Sequence, residues 1–251
     1  MSQVCPEHLP LDREAQVLDF HPAGLVALEK PVGVLTHPNR KGGAKSHALL
    51  RADYDSSTES YSWKDETGEE RSLHLVHRLD SPTSGVLLAC LSAELAANIR
   101  EVFANHKAGK TYYAIVREKA KARDGLWKDR LEESREGGKL RVKTGRGPEA
   151  LTKAAFERRR VGRLGLSLLR LEPITGRTHQ LRVQATTRGF PIVGDRVYGD
   201  FSLNRKLARA TRVDRLCLHA SSIEINFSHD GQSHHFFSES AIPRSFGKML
   251  S

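Results

Sequence analysis

The segment VLLACLS, residues 86–92, is a short and nearly continuous apolar run, set off from upstream sequence by the turn residues SPTSG at 81–85. A run of that length between turn signals fits a buried strand. It leads directly into a helix. Ser92 stands where an N-cap belongs, and Leu95, Ile99, Val102 and Phe103 follow at i, i+4, i+7 and i+8, one apolar face at helical spacing. Residues 105–109 then end the helix. A strand fixed in a core with a capped helix behind it confines the preceding segment, LHLVHRLD at 73–80, to a strand that runs out into a loop.

Elsewhere the pattern is of strands with few helices. Residues 17–28 read as one or two short strands with a turn at 21–24. Two prolines and a glycine in EKPVGVLTHP (29–38) exclude a helix and fit an extended segment ending in a loop. Residues 39–72 are rich in Gly, Ser, Asp and Lys and read as an exposed loop, with a short helix at 48–51. TYYAIVR (111–117) has strand composition. The charged residues 118–150 form either an insertion or a surface hairpin with a solvated face. Residues 154–161 and 166–171 flank 162–165 as a hairpin. A helix is expected over 178–187 and two late strands at 216–220 and 222–227. The expected fold is α+β, a mostly antiparallel sheet with flanking helices and loops. A polar arm at 1–15 precedes a single catalytic domain at 16–251.

Lys and Arg number 40 against 30 Asp and Glu, a formal charge of +10. Such a field attracts polyanions, so nucleic acid ranks above a merely basic surface and well above a membrane. Cys5, Cys90 and Cys217 are scattered, with no CxxC pair, which excludes a zinc knuckle or disulfide framework and suits a reducing, cytoplasmic setting. No charged start followed by an apolar run suggests a signal peptide, and no stretch is long enough to span a bilayer. A monomer is expected.

Three segments carry groups that can do chemistry. HRLDSPTSG (77–85) places His77, Arg78 and Asp80 at a strand end before a turn containing Thr83. Asp80 there can act as nucleophile or general base. An Asp before Ser-Pro is also a common turn opener, and an Arg beside an Asp is often a plain ion pair. PITGRTHQLRVQ (173–184) crowds Arg177, His179, Gln180 and Arg182 behind a Thr-Gly turn. A buried Arg near a catalytic carboxylate keeps it ionised, while a second Arg can meet phosphate. KTYYAIV (110–116) alternates Tyr112 and Tyr113 across a strand, so that only one of them faces a given side. The 12 histidines form no HxH or HExxH set, which argues against a metal nuclease. HxE with PCxxC is absent, which excludes a zinc deaminase. HRLD without a glycine-rich loop, DFG or correctly spaced Asn is no kinase catalytic loop.

HRLDSPTSGVLL resembles the signature loop of the RluA-type pseudouridine synthases, whose shared pattern is HRLD-x-x-TSG. KTYYAIV and TGRTHQLRV resemble that family's second and third motifs, and EKPVGVLTHP its N-terminal KP-x-G segment. PIVGDRVYG (191–199) and LCLHASSIEI (216–225) match in kind and order. The resemblance covers about residues 15–243 and implies the family's mixed α/β fold, with structured ribosomal or transfer RNA as partner and no cofactor or metal. It makes Asp80 the essential carboxylate, with Arg182 paired to it. Tyr112 would stack near the target base and remove the C5 proton late. Arg78 would enter the RNA helix where the nucleotide leaves. His77, Thr83, Arg177, His179, Gln180 and Lys30 are the remaining candidates for substrate contact. Many relatives carry an S4 RNA-binding domain; here the KP-x-G segment starts near residue 29, leaving no room for one. RNA binding would then fall to the catalytic domain, with Arg158, Arg159, Arg160, Arg163 and the 118–150 segment as candidate surfaces. The rival reading is an inactive RNA-binding module of the same fold.

Overall fold

The structure is a computed structural model and describes residues 9–38, 47–121, 123–137, 139–162 and 164–251. In chain order its elements are β1 (Gln16–His21), β2 (Leu25–Lys30), β3 (Asp53–Asp55), β4 (Ser60–Lys64), β5 (Glu70–Leu75), β6 (Ser84–Cys90), α1 (Ala93–Ala104) and β7 (Gly109–Val116). These are followed by β8 (Gly125–Glu136), β9 (Lys139–Val161), β10 (Leu166–Pro173), α2 (Gln180–Thr187), α3 (Phe201–Thr211), β11 (Leu218–His229), β12 (Gln232–Glu239) and α4 (Arg244–Leu250). The α+β class holds, and the pairings β1–β2, β2–β6, β3–β4, β4–β5, β5–β6, β7–β10, β9–β10, β8–β9 and β11–β12 are antiparallel. The chain divides into two compact units, Met1–Ala108 with Ser222–Ser240, and Gly109–Ser221 with Ala241–Ser251.

In the first unit β6 is the central strand. It pairs with β2 on one side, from Leu25↔Cys90 to Lys30↔Gly85, and with the end of β5 on the other. All seven residues of β6 are buried. α1 starts at Ser92, whose side chain accepts the Leu95 amide at 3.2 Å, and puts Leu95, Ala96 and Ile99 into the core with Leu25, Leu88 and Ile223. Each such side chain contributes roughly 1.5–3 kcal/mol on burial. The strand and helix expected at 86–104 are therefore both present.

The segment expected to be an exposed loop differs. Described residues 53–75 form the meander β3–β4–β5, and Tyr61 is fully buried. SYSWK alternates in burial, and Asp65 to Gly68 close a hairpin in which the Asp65 carboxylate accepts the Thr67 and Glu69 amides. Polar turn residues concealed a short strand whose inward side chains are the buried Tyr61 and the half-buried Trp63. Residues 48–51 form isolated bridges to Leu35 and Leu11 in place of the expected helix turn. The same bridges tie down the described part of the N-terminal arm. Asp12 donates its amide to the Leu49 carbonyl at 2.8 Å, and Arg51 donates to Pro10 at 2.7 Å. Residues 1–8 of the arm and 39–46 of the loop lie outside the described residues.

In the second unit β7 pairs with β10, β10 with β9, and β9 with β8. The 118–150 segment is thus a hairpin in which β8 is matched throughout by the long β9. Its register breaks between Arg130 and Leu131, where residues 145–148 bulge from β9. A Cβ on Gly147 would collide with the Leu131 carbonyl, so the bulge requires glycine there. The two faces of β7 enter different cores. Ala114 and Val116 pack with Leu169, Leu171, Leu181 and Phe190, while Ile115 packs with Val193, Leu207 and Phe246. Besides β3 and β4, the elements α3, α4 and β12 were not expected from sequence. The two late strands expected at 216–227 are one strand, β11, and β12 is its hairpin partner from Ser222↔Glu239 to His229↔Gln232.

Candidate active site

In the first unit the loop that follows β5 carries Asp80, and its backbone is pinned residue by residue. The Thr36 hydroxyl donates to the Leu79 carbonyl at 2.9 Å and accepts the Leu79 amide at 3.3 Å. The Asp80 carbonyl accepts the Thr83 amide at 2.9 Å. The Ser81 carbonyl accepts from the Gly33 amide at 2.8 Å and the Lys30 Nζ at 3.1 Å. Three consecutive carbonyls around Asp80 are therefore satisfied by the scaffold, which fixes where its side chain leaves the chain.

Lys30 departs from the expectation of an RNA contact. Its side chain is fully buried, and its ammonium also donates to the carbonyls of Pro31 at 2.9 Å and Val34 at 2.7 Å. A buried ammonium needs such partners, so Lys30 acts as a strut between the KP-x-G segment and the Asp80 loop. Lys30→Met takes a donor from the carbonyls of Pro31 and Val34, and leaves that of Ser81 with the Gly33 amide alone. It should lower stability by about 3 kcal/mol, seen as a fall in Tm of roughly 6–12 °C in a thermal melt.

His77 is likewise committed to scaffold. Its Nε2 accepts the Leu88 amide at 2.9 Å, supplying β6 with a partner where β5 has ended, and its ring stacks on Phe103 at 4.7 Å. Thr83 is 2% exposed. Arg78 is exposed, with its guanidinium 3.4 Å from the His37 Nε2. Burial and the Arg78 charge hold His37 below its ordinary pKa, so it remains a neutral acceptor for Arg78.

In the second unit Tyr112 lies opposite Leu171 and packs on the core of Leu169, Leu171, Leu181 and Phe190, whereas Tyr113 joins the other face. The expected division between the two tyrosines is present. Arg182 is 4% exposed on α2 and meets Asp195 through two hydrogen bonds, Nε to Oδ2 and Nη2 to Oδ1, both 2.8 Å. Its guanidinium also sits 5.1 Å from the centre of the Tyr198 ring. Asp195 is 1% exposed and accepts the amides of Val197 and Tyr198 at 2.8 and 3.0 Å. Burial pushes its pKa up, but Arg182 and the two amides outweigh that, and the net shift is downward.

Tyr198 extends the network. Its hydroxyl accepts the Val142 amide at 3.0 Å and lies 2.7 Å from His179 Nδ1. Its pKa is raised by burial, so the phenol stays protonated. His179 adopts a left-handed backbone, φ 52°, at the start of α2. Gln180 was expected to contact substrate, but its amide is saturated internally. It donates to the Leu151 carbonyl (3.0 Å) and the Thr152 hydroxyl (2.9 Å), and accepts from the Thr175 hydroxyl (2.7 Å) and the Arg177 amide (3.0 Å). No donor or lone pair of this side chain is left over, so Gln180 holds the turn before α2. Arg177 is exposed, tied through Nε to the Glu149 carbonyl at 3.2 Å.

Asp195 and Tyr198 escaped the sequence reading as site residues. The available signal was the glycine before Asp195. Gly194 has φ +77°, and a Cβ there would strike the Arg215 carbonyl, so the chain turns tightly at the point where it delivers the carboxylate.

Lys110, two residues before Tyr112 on β7, has its pKa lowered to about 8 by burial. At pH 7 it is charged whether the chain is folded or not, and burial of that charge costs stability. Between about 8 and 10.5 only the unfolded chain keeps the proton, so stability rises with pH. The wild type should gain on Lys110→Met by up to about 1.4 kcal/mol per pH unit in that window. Equal slopes in denaturant titrations would contradict the burial.

Comparison with known proteins identifies the family. A family profile described as RNA pseudouridylate synthase matches residues 24–187. The tRNA pseudouridine synthase C of Vibrio cholerae is 33% identical over 214 residues, 82% of each chain. An uncharacterized RNA pseudouridine synthase of Haemophilus influenzae is 39% identical over 61% of this chain and 63% of its own. The solved structure of human RNA Pseudouridylate Synthase Domain Containing 4 shares the fold, with TM-score 0.63 over 93% of this chain and 91% of its own at 23% identity. This chain belongs to the RNA pseudouridylate synthase family and is an isomerase acting on RNA.

Proposed function

We propose that the chain converts uridine to pseudouridine within structured RNA, with Asp80 as catalytic carboxylate, Tyr112 against the target base and Arg182 keeping the carboxylate ionised. The observation that carries this reading is the pinned backbone at 79–81, which holds one carboxylate in a fixed direction from a loop. The bond from uracil N1 to ribose C1′ breaks, the base turns, and a bond from C5 to C1′ forms. C5 loses a proton and N1 gains one. Asp80 serves either by attacking C1′ or by removing the 2′ proton, and both routes need it ionised. Asp195 holds the Nε edge of Arg182, which fixes the plane of the guanidinium. Arg78 fills the gap left by the flipped nucleotide.

Both ribosomal and transfer RNA fit this chemistry. Relatives named tRNA pseudouridine synthase C, 32–33% identical over more than four fifths of the chain, make transfer RNA the first substrate to test. We place the enzyme in the cytoplasm, where the free, buried thiols of Cys90 and Cys217 stay reduced. Among the described residues no helix is long and apolar enough to cross a membrane. Mapping pseudouridine across total RNA from cells with and without the gene tests the assignment. One or a few uridines should lose the modification, and an unchanged map would overturn it.

A further inference from the structure

α3 carries cations and no acid along its whole length. Within the helix and its C-cap stand Arg205, Lys206, Arg209 and Arg212, all exposed, and the helix holds no acidic residue. Arg205, Arg209 and Arg212 recur at i, i+4 and i+7, and Phe201, 57% exposed, precedes them at i−4. At 100° per residue these four fall within an arc of about 80°. Leu203 and Leu207, which pack into the core, lie on the opposite side.

Many cations elsewhere in this unit are matched. Arg117 and Lys119 meet Asp200, Arg159 and Arg160 share Glu118, Arg170 meets Glu157 and Glu172, Arg188 meets Asp129, and Arg196 meets Asp214. The four cations of α3, like Arg135, Arg141, Lys143 and Arg146 of the β8–β9 hairpin, have no ion pair among the described residues. The arginine cluster expected at 158–163 to meet RNA is thus partly neutralised by Glu118, and Arg163 lies outside the described residues.

A solvated basic helix is the ordinary reading of such a stripe. The helix dipole accounts for cations in the last turn, Arg209 and Arg212. It does not account for Arg205 and Lys206 in mid-helix, where like charges three and four residues apart weaken the helix. Clustered, unpaired cations on one face make an electrostatic match for a polyanion.

We propose that the Phe201–Arg212 face of α3 is a docking surface for the phosphate backbone of the substrate RNA, with Phe201 offering a ring to an unpaired base at its end. The proposal rests on the reading of this chain as an RNA-modifying enzyme. The test compares the full chain with the variant Arg205→Gln, Lys206→Gln, Arg209→Gln, Arg212→Gln, using bulk transfer RNA from cells lacking the gene. The variant should bind at least tenfold more weakly at physiological salt. Its plot of log Kd against log salt should be shallower by about 3–3.5, at roughly 0.7–0.9 for each of the four lost phosphate contacts. kcat at saturating RNA should stay within twofold. The charge-keeping variant Arg205→Lys, Arg209→Lys, Arg212→Lys should bind as the wild type does.

Acetylation footprinting of Lys206 in the wild-type chain gives an answer that no variant's folding can obscure: RNA should protect it. An unprotected Lys206, or an unchanged Kd and salt slope in the neutral variant, overturns the proposal. Loss of binding to phosphatidylglycerol vesicles with RNA affinity intact also overturns it, and reassigns the face to a membrane surface. A wild-type chain that binds RNA and isomerises none defeats the functional reading alone.

Discussion

Asp80→Asn should reduce the single-turnover rate of pseudouridine formation by at least about 10⁴-fold, the scale on which enzymes feel loss of a nucleophile or its activator. RNA affinity should stay within a few fold, and the melting temperature should barely move. The separation follows from the loop. Backbone groups of Leu79, Asp80 and Ser81 hold the loop through Thr36, Thr83, Gly33 and Lys30, and Asn leaves these contacts in place. The exchange removes a charge and keeps the shape. An active Asp80→Asn enzyme would remove the proposed role, and a variant that unfolds would show that the carboxylate serves the scaffold.

The second large effect is at Asp195. Asp195→Ala strips Arg182 of two 2.8 Å hydrogen bonds at a site where the arginine is 4% exposed. Leaving a buried guanidinium without its carboxylate costs about 3–5 kcal/mol, which at this chain length is a loss in Tm of roughly 6–20 °C. The amides of Val197 and Tyr198 lose their acceptor as well. Activity should fall further than the folded fraction does, because the guanidinium is no longer held in one plane. Asp195→Asn, which keeps the shape and one oxygen, should be milder in stability than Ala.

The effect has a pH signature. The Asp195 pKa is lowered in the folded chain, so its stabilisation is complete above the ordinary carboxylate value of 3.8 and is lost as pH falls through the folded value. The gap between wild type and Asp195→Asn should be constant from pH 7 to about 5. It should narrow only in acid, below that ordinary value. A gap that closes near neutral pH would place the stabilising charge on some other group.

What the sequence made legible was set by patterning strength. β6 and α1 declare themselves because burial on both faces gives an unbroken apolar run and because Ser92 starts a helix whose core positions recur at 3.6. β4 does not, since its only fully buried side chain is Tyr61 among serines and charges. α3 was invisible as a helix because its apolar side amounts to little more than Leu203 and Leu207. The site divided in the same way. Arg182 was identifiable as a buried arginine of its segment, and the division of Tyr112 and Tyr113 between two faces followed from strand alternation. Residue type could not say that Lys30 and Gln180 spend their polar atoms on carbonyls, amides and hydroxyls within the chain. A lysine in the KP-x-G segment reads as a substrate contact until its burial is known.

The most direct measurement is tritium release from total RNA labelled at C5 of uridine and taken from cells lacking the gene. The wild-type chain should release tritium in proportion to the pseudouridine formed, and Asp80→Asn should release none. RNA bound by the wild type with no tritium released would make this chain an inactive RNA-binding module of the family and contradict the account.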